Sequence, residues 1–509
     1  MERYMNKCYS SIAPATFLTT VLFTPLTAIA QEPLQRVDQN HLNDLVTHDQ
    51  GNIAFLQAFE AGDALSEFDF TANHGVGANI GEGRRFTRFP RADLDGDQEW
   101  ATHFPKREGG ANATSCISCH SAPFANGAGG VAMNVVLDPD HTADPSQYLE
   151  RNTTSLFALS IPQRLAEEMS VELYLQREDA RQLACAKGSA TVALVAKEVA
   201  FGTLSLTRIS EDPCEVSIDT SQLAGIDADL VVRPFGWKGN HATIRSFTRD
   251  AAHNELGLQA TELVGAQDGD YDGVIHELSV GDVTALTLYM AALERPVSTV
   301  ELAEIGVIDL ADVQRADIAA GEHLFNTVGC SSCHTPSMTI ADPTFSAPSR
   351  VAGYADILFP DGSSPEAHGL VSDSAITFDM RLDPPNNQIL LDSGGMYHLG
   401  ALETDAKGKG IARWYSDFKR HDMGPALSDP SDPLGMGASV FLTRSLAGVG
   451  STGPWLHDGR ATTLEEAIFA HGGEAAVSRN AYAAMSDADA ARIVTFLESL
   501  ILFSADEAH

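Results

Sequence analysis

The sequence predicts a mainly α-helical chain of two domains in tandem, the first carrying a small β-rich insertion. Three observations lead to that reading. The pentapeptide Cys-x-x-Cys-His occurs twice, as Cys116–His120 and Cys330–His334, and the copies stand 330 − 116 = 214 residues apart. That is too far for one small domain to hold both. Apolar residues recur at helical spacing ahead of Pro296 (Val283, Leu286, Met290, Leu293) and again on either side of the second copy. Between about 171 and 232 the pattern turns instead to alternating and β-branched runs. The break falls near Glu294-Arg295-Pro296, giving domains 31–295 and 296–509.

Composition frames the rest. With 44% hydrophobic and 20% charged residues over 509 positions, the chain is globular with ample core, not disordered or multiply membrane-spanning. Asp and Glu number 69 against 33 Lys and Arg, a net charge of −36. Such a chain repels nucleic acid and anionic lipid and suits a cationic partner. Residues 1–30 read as a signal peptide: Arg3 and Lys7 open it, a mostly apolar stretch runs from Ile12, and Ala28-Ile29-Ala30 ends it. A membrane anchor is the competing reading, opposed by Pro14 and Pro25. No later stretch approaches the roughly 20 apolar residues of a spanning helix. A periplasmic or secreted protein without a membrane span after cleavage is therefore expected.

Of seven cysteines, Cys8 lies in the leader and four form the two motifs. Cys-x-x-Cys-His is the attachment pattern of c-type haem. Thiols three positions apart on a helical turn reach the two vinyl groups of one porphyrin, and the following His ligates iron from below. Zinc would want another Cys or His pair nearby, and a redox dithiol would leave the repeated His unexplained. Two covalently bound haem c are expected, anchored by Cys116 and Cys119 and by Cys330 and Cys333, with His120 and His334 on the metal. Cys185 and Cys214 remain. In an oxidising compartment they are expected to pair, which the chain-entropy account values at roughly 3–4 kcal/mol. Two buried thiols are the alternative.

The insertion is placed at about 171–232 on runs such as Ala190–Val195 and Gly202–Thr207. The second domain opens with an amphipathic helix over Ala311–Val328, with Val313, Ile318, Gly321, Leu324 and Phe325 on one face. Gly321-x-x-Leu324-Phe325 ahead of a haem motif resembles the first helix of class I cytochromes c, where the small residue admits the C-terminal helix. A matching last helix is capped by Ser486-x-x-Asp489 and shows Ile493, Phe496, Leu497, Leu500 and Ile501 on its apolar face. Both domains are on this basis expected to be cytochrome c-like.

Thr463-x-x-Glu466 is a capping box that starts a helix at Leu464, and Gly472-Gly473 ends it. Leu464, Ala467, Ile468 and His471 share one face. An imidazole at the end of that apolar face needs a partner, and iron opposite His334 would supply one. Local hydrogen bonding is the alternative.

This C-terminal run carries a family resemblance. Pro454-x-x-His457-x-Gly459-x-x-x-x-Leu464-x-x-Ala467-x-x-x-His471 resembles the C-terminal domain of bacterial di-haem cytochrome c peroxidases. In those proteins the sixth ligand of the electron-transfer haem is usually Met. In the enzyme that matures methylamine dehydrogenase, one haem has Tyr instead. His471 here would give bis-histidine ligation. The chain is more similar still to the bacterial di-haem oxidoreductase family. Asn112-x-x-Ser115 precedes the first motif, and Arg233-Pro234-Phe235-Gly236-Trp237-Lys238-Gly239 follows it. Tyr415–Phe418, His421–Gly424, His457–Arg460 and His471–Ala475 come next in order. The resemblance implies electrons from a small redox protein, or another donor, passing through the C-terminal haem to the N-terminal one. There a small oxidant such as hydrogen peroxide would be reduced. A non-catalytic electron-transfer cytochrome and an oxygenase or protein-modifying enzyme are the alternatives.

The chain departs from the peroxidases after His120, where their Trp-Asp-Gly-Arg run is missing. Glu167 or Glu168 is then a candidate distal acid–base, against a plain solvated helix face. Met133, His103 or His74 could instead close the first iron. Trp237 could relay electrons between the haems or simply pack. Arg444 and Arg460 could pair with haem propionates. Asp268-x-Asp270-x-Asp272-Gly273 matches the start of a calcium loop, but Ser279 stands where the closing Glu belongs. An acidic turn is the plain alternative.

Overall fold

The computed structural model describes residues 34–77, 84–85, 111–130, 133–138, 144–268, 273–382, 388–391 and 394–504. By their contacts, the described residues from Gln35 onward form one unit. No helix among the described residues is long and apolar enough to cross a membrane.

The fold is mixed, with 38% of the described residues helical, 18% in strands and several small sheets. This corrects the expectation of a mainly α-helical chain made of tandem cytochrome c-like domains. Much of the difference lies between the second haem motif and Leu442. There Met338–Ile340, Thr344–Ala347, Ile376–Asp379, Gln388–Leu390, Met396–His398, Gly410–Ala412, Arg420–Asp422 and Val440–Leu442 form short antiparallel pairings. Gly, Pro, Ser and Asp punctuate this stretch and stop any helix after a turn or less.

The insertion starts later than the sequence suggested. Val171–Lys187 is the continuation of the helix Ser160–Lys187. Its Glu, Leu, Gln, Arg and Ala residues are strong helix formers, which outweigh the β-branched start. The sheet itself runs Ser189–Ala196, Val199–Glu211 and Cys214–Asp219, antiparallel and in sequence order. Cys185, near the helix end, is bonded to Cys214 at the opening of the third strand, with Cα atoms 6.0 Å apart.

Two helix crossings place the haem motifs. The helix Val280–Ala292 is buried at every position, as befits a helix without a polar face. Ser279 caps it within a capping box closed by Asp282. The helix Gly51–Glu67 crosses it at Gly62, where a Cβ would overlap the carbonyl oxygen of Ala285 and lie 2.6 Å from Tyr289 Cβ. From the end of that crossing helix the Ser66 carbonyl accepts the Ile117 N–H at 3.3 Å, inside the first motif.

The second crossing pairs Asp312–Thr327 with Asp487–Glu498; the last helix stops short of Leu500 and Ile501, expected on its face, which instead pair as a short strand with Val297–Ser298. A Cβ on Gly321 would overlap the Arg492 carbonyl oxygen and stand 2.8 Å from Phe496 Cβ. Ile318, Phe325, Ile493 and Phe496 pack into one core around it. Gly321→Ala is expected to lose about 1–3 kcal/mol of stability, because backbone cannot move aside as a side chain can. Chemical denaturation of the holoprotein checks this; unchanged stability would mean that the helices do not cross so closely.

Candidate haem sites

Each Cys-x-x-Cys-His motif borders its own cavity. One, of about 310 Å³, is lined by Cys330, Cys333, His334 and His471. The other, of about 670 Å³, is lined by Cys116, Cys119 and His120. Burial pushes the Cys116 and Cys330 thiols up to about 11. Both are therefore neutral thiols at physiological pH, which does not favour nucleophilic attack.

The three imidazoles are anchored in the same way. His120 Nδ1 donates to the Thr154 carbonyl at 2.8 Å, His334 Nδ1 to that of Tyr415 at 3.2 Å, and His471 Nδ1 to that of Ala467 at 2.7 Å. Such second bonds select the tautomer whose Nε2 lone pair is available. Burial holds all three below the usual range, His120 and His334 at about 4, so they are neutral at pH 7. For His334 the proximity of His471 adds to burial.

His334 and His471 face each other with ring centres 6.4 Å apart. Two metal–nitrogen bonds of about 2 Å, plus roughly 1 Å from each nitrogen to its ring centre, put two trans imidazoles about 6 Å apart. The spacing would suit His334 and His471 as the two residues holding one iron. The local chain arranges this as the sequence indicated. Thr463 caps the helix Leu464–Ala470, closing a capping box with Glu466, and His471 follows as its C-terminal cap.

A further cluster, Cys333, Asp417 and His421, brings three donor atoms within 4.8 Å. It is poorly suited to a metal. His421 gives Nε2 to Asp417 and Nδ1 to Glu474, each at 2.8 Å. Although burial opposes it, the Asp417 carboxylate and its neighbours push His421 up to about 11.

The two cavities share a wall. Asn152, Thr153, Thr154, Phe235, Trp237 and Arg444 line both. Trp237 Nε1 donates to the Asn152 carbonyl at 2.9 Å, and the Arg444 guanidinium lies 5.2 Å from its ring centre. Arg444 has no carboxylate partner among the described residues, and burial alone lowers it to about 10. A cation so placed suits a propionate. Arg460 does not, since it is bound to Asp458 at 2.6 Å and to the Ala426 carbonyl at 2.7 Å.

Asp429 ties the shared wall together. Arg151 bonds it in bidentate fashion at 2.9 and 2.8 Å. Lys238 approaches to 3.1 Å and His457 Nε2 to 3.5 Å. Asn152 donates from its backbone to His457 O and from Nδ2 to Pro454 O, both at 2.6 Å.

Several sequence candidates lie elsewhere. His74 bonds Thr71, and Met133 Sδ takes the Ser121 hydroxyl at 3.7 Å; neither lines the cavity of His120. Glu167 is buried on Gln163 and Arg164. Glu168 pairs with Lys197 and accepts the Ala341 and Asp342 N–H groups at 2.9 Å. Both are structural, so neither is a distal acid–base nor on a solvated face. His103, Asp270 and Asp272 lie outside the described residues. Sequence reasoning missed His241 and Asp250, which do line the cavity of His120. His241 stands two residues past the Trp237 run and carried no motif of its own.

A search of curated proteins finds no match to this chain. The family model described as "Di-haem oxidoreductase, putative peroxidase" matches residues 391–500, a span that includes Asp417, His421, Asp429, Arg444, His457 and His471. Over that span the resemblance read from the sequence holds, and the chain is similar to the di-haem oxidoreductases.

Proposed function

We propose that the protein is an exported di-haem c-type oxidoreductase that takes electrons from a donor protein and reduces a small oxidant such as hydrogen peroxide. The observation that carries this is the pair of cavities, each bordered by a Cys-x-x-Cys-His motif and divided by one wall bearing Trp237. When bound, the haems supply one-electron redox centres, that of His334 and His471 as a store and that of His120 as the reactive site. The larger cavity at His120 leaves room for a small molecule beside a cofactor. Trp237 offers an aromatic path between the cavities, held in orientation by Asn152. Arg444, set in the same wall without a carboxylate partner among the described residues, would offset the negative charge of a haem propionate. The net charge of −36 favours a cationic donor. The Cys185–Cys214 bond and the leader-like first 30 residues both suit the periplasm or the extracellular space.

The test begins with protein made in a host that attaches haem c. Two haems per chain are expected, and the reduced protein should be re-oxidised by hydrogen peroxide. His471→Ala should keep both haems but convert one of the two per chain from low to high spin. Absorption and paramagnetic resonance spectra check this. Two low-spin haems inert to peroxide would make the protein a carrier instead.

A further inference from the structure

Phe235 and His241 exchange both backbone hydrogen bonds, at 3.2 and 3.3 Å, closing a short loop. Gly236 sits in it at φ +78°, where a Cβ would overlap Asn240 Oδ1. The loop presents Trp237 to both cavities, and its foot presents His241 to the cavity of His120. Thr243 then caps the helix Ile244–Ala251, accepting the Ser246 N–H at 3.1 Å. Two turns along, Asp250 returns to His241, with Oδ2 3.4 Å from Nε2. Phe247 holds the imidazole edge-on at 5.4 Å between ring centres. Burial works to raise the Asp250 carboxyl, but hydrogen bonds from His241 and Asn254, with the charge of His241 and His253, hold it low. An anion beside an imidazole in a cavity wall is the arrangement of a proton carrier with its orienting partner.

We propose that His241, oriented by Asp250, is the catalytic acid–base of this cavity, and that its substrate is a small hydroperoxide. The proposal rests on the reading above that an oxidant is reduced at His120. One hydrogen peroxide, two electrons from the donor protein and two protons give two waters. His241 takes the proton from one peroxide oxygen and returns it to the other as the O–O bond breaks and that oxygen leaves as water. That transfer moves a proton the peroxide already carries, so both protons of the balance come from solvent and, with the two donor electrons, turn the remaining oxygen into the second water. Asp250 stays ionised and stabilises the imidazolium between the two transfers.

The test uses the reduced holoprotein with both haems, mixed with hydrogen peroxide in a stopped-flow instrument. His241→Gln is expected to slow re-oxidation about 100-fold or more, the lower range for loss of an acid–base group. Its oxidised spectrum should match the wild type, which a merely structural role would not preserve. Asp250→Asn should also slow the reaction with both haems retained, and it serves if the His241 variant does not fold. A wild-type rate in either variant overturns the proposal. So does a low-spin to high-spin change in His241→Gln, which would make His241 an iron ligand. If the wild type itself ignores peroxide while holding two haems, the functional reading fails, and this proposal with it.

Discussion

Replacing Cys330 and Cys333 together by alanine is expected to leave one covalently attached haem per chain instead of two. The denatured protein should lose the mass of one haem. Donor-driven peroxide reduction should fall by about 100-fold or more, since only the cavity of His120 would stay loaded and no store would feed it. The expectation follows from the smaller cavity, whose motif residues and opposed imidazoles close on one another and leave no second anchor for a porphyrin. Haem staining after denaturing electrophoresis, intact mass and turnover with a reduced donor are the measurements. Two haems in the double variant would show that the motif is not the anchor.

The second large effect is expected at Asp429. Its side chain is 2% exposed, between Arg151, Lys238 and His457. Removing one member of a buried ion cluster leaves its partners without compensation, at a cost of about 3–5 kcal/mol. Asp429→Ala should therefore lower the denaturation midpoint of the holoprotein sharply. It should also disturb both haem spectra, because Arg151 adjoins Asn152 and Lys238 adjoins Trp237 in the shared wall. Asp429→Asn, which keeps the shape and part of the hydrogen bonding, should lose less. A loss below about 1 kcal/mol in the alanine variant would place Asp429 among ordinary surface ion pairs.

What could be read from the sequence was local. The two Cys-x-x-Cys-His motifs, the caps at Thr463 and Ser486, the close crossing at Gly321 and the place of His471 at the end of its short helix all follow from residues a few positions apart. The small strands between Met338 and Leu442 did not show, because three or four residues are too few for alternation to stand out. The helical reach of Val171–Lys187 was lost to a β-branched residue at its edge. His241 and Asp250 were invisible for another reason: they meet only after a loop closes and a capped helix turns back, and neither belongs to a spaced motif. Arg444 and Arg460 looked alike until the Asp458 carboxylate was seen to occupy one and not the other.

The dividing wall also bears on biogenesis. The cavity of His120 borrows Pro433, Leu434 and Arg444 from late in the chain, while that of His334 borrows Asn152, Phe157 and Trp237 from early in it. Severed near Pro296, neither fragment would enclose its own porphyrin. With haem at both motifs, as proposed, the early and late stretches would have to close around the two groups together, and the chain would mature as one unit rather than as two separable halves.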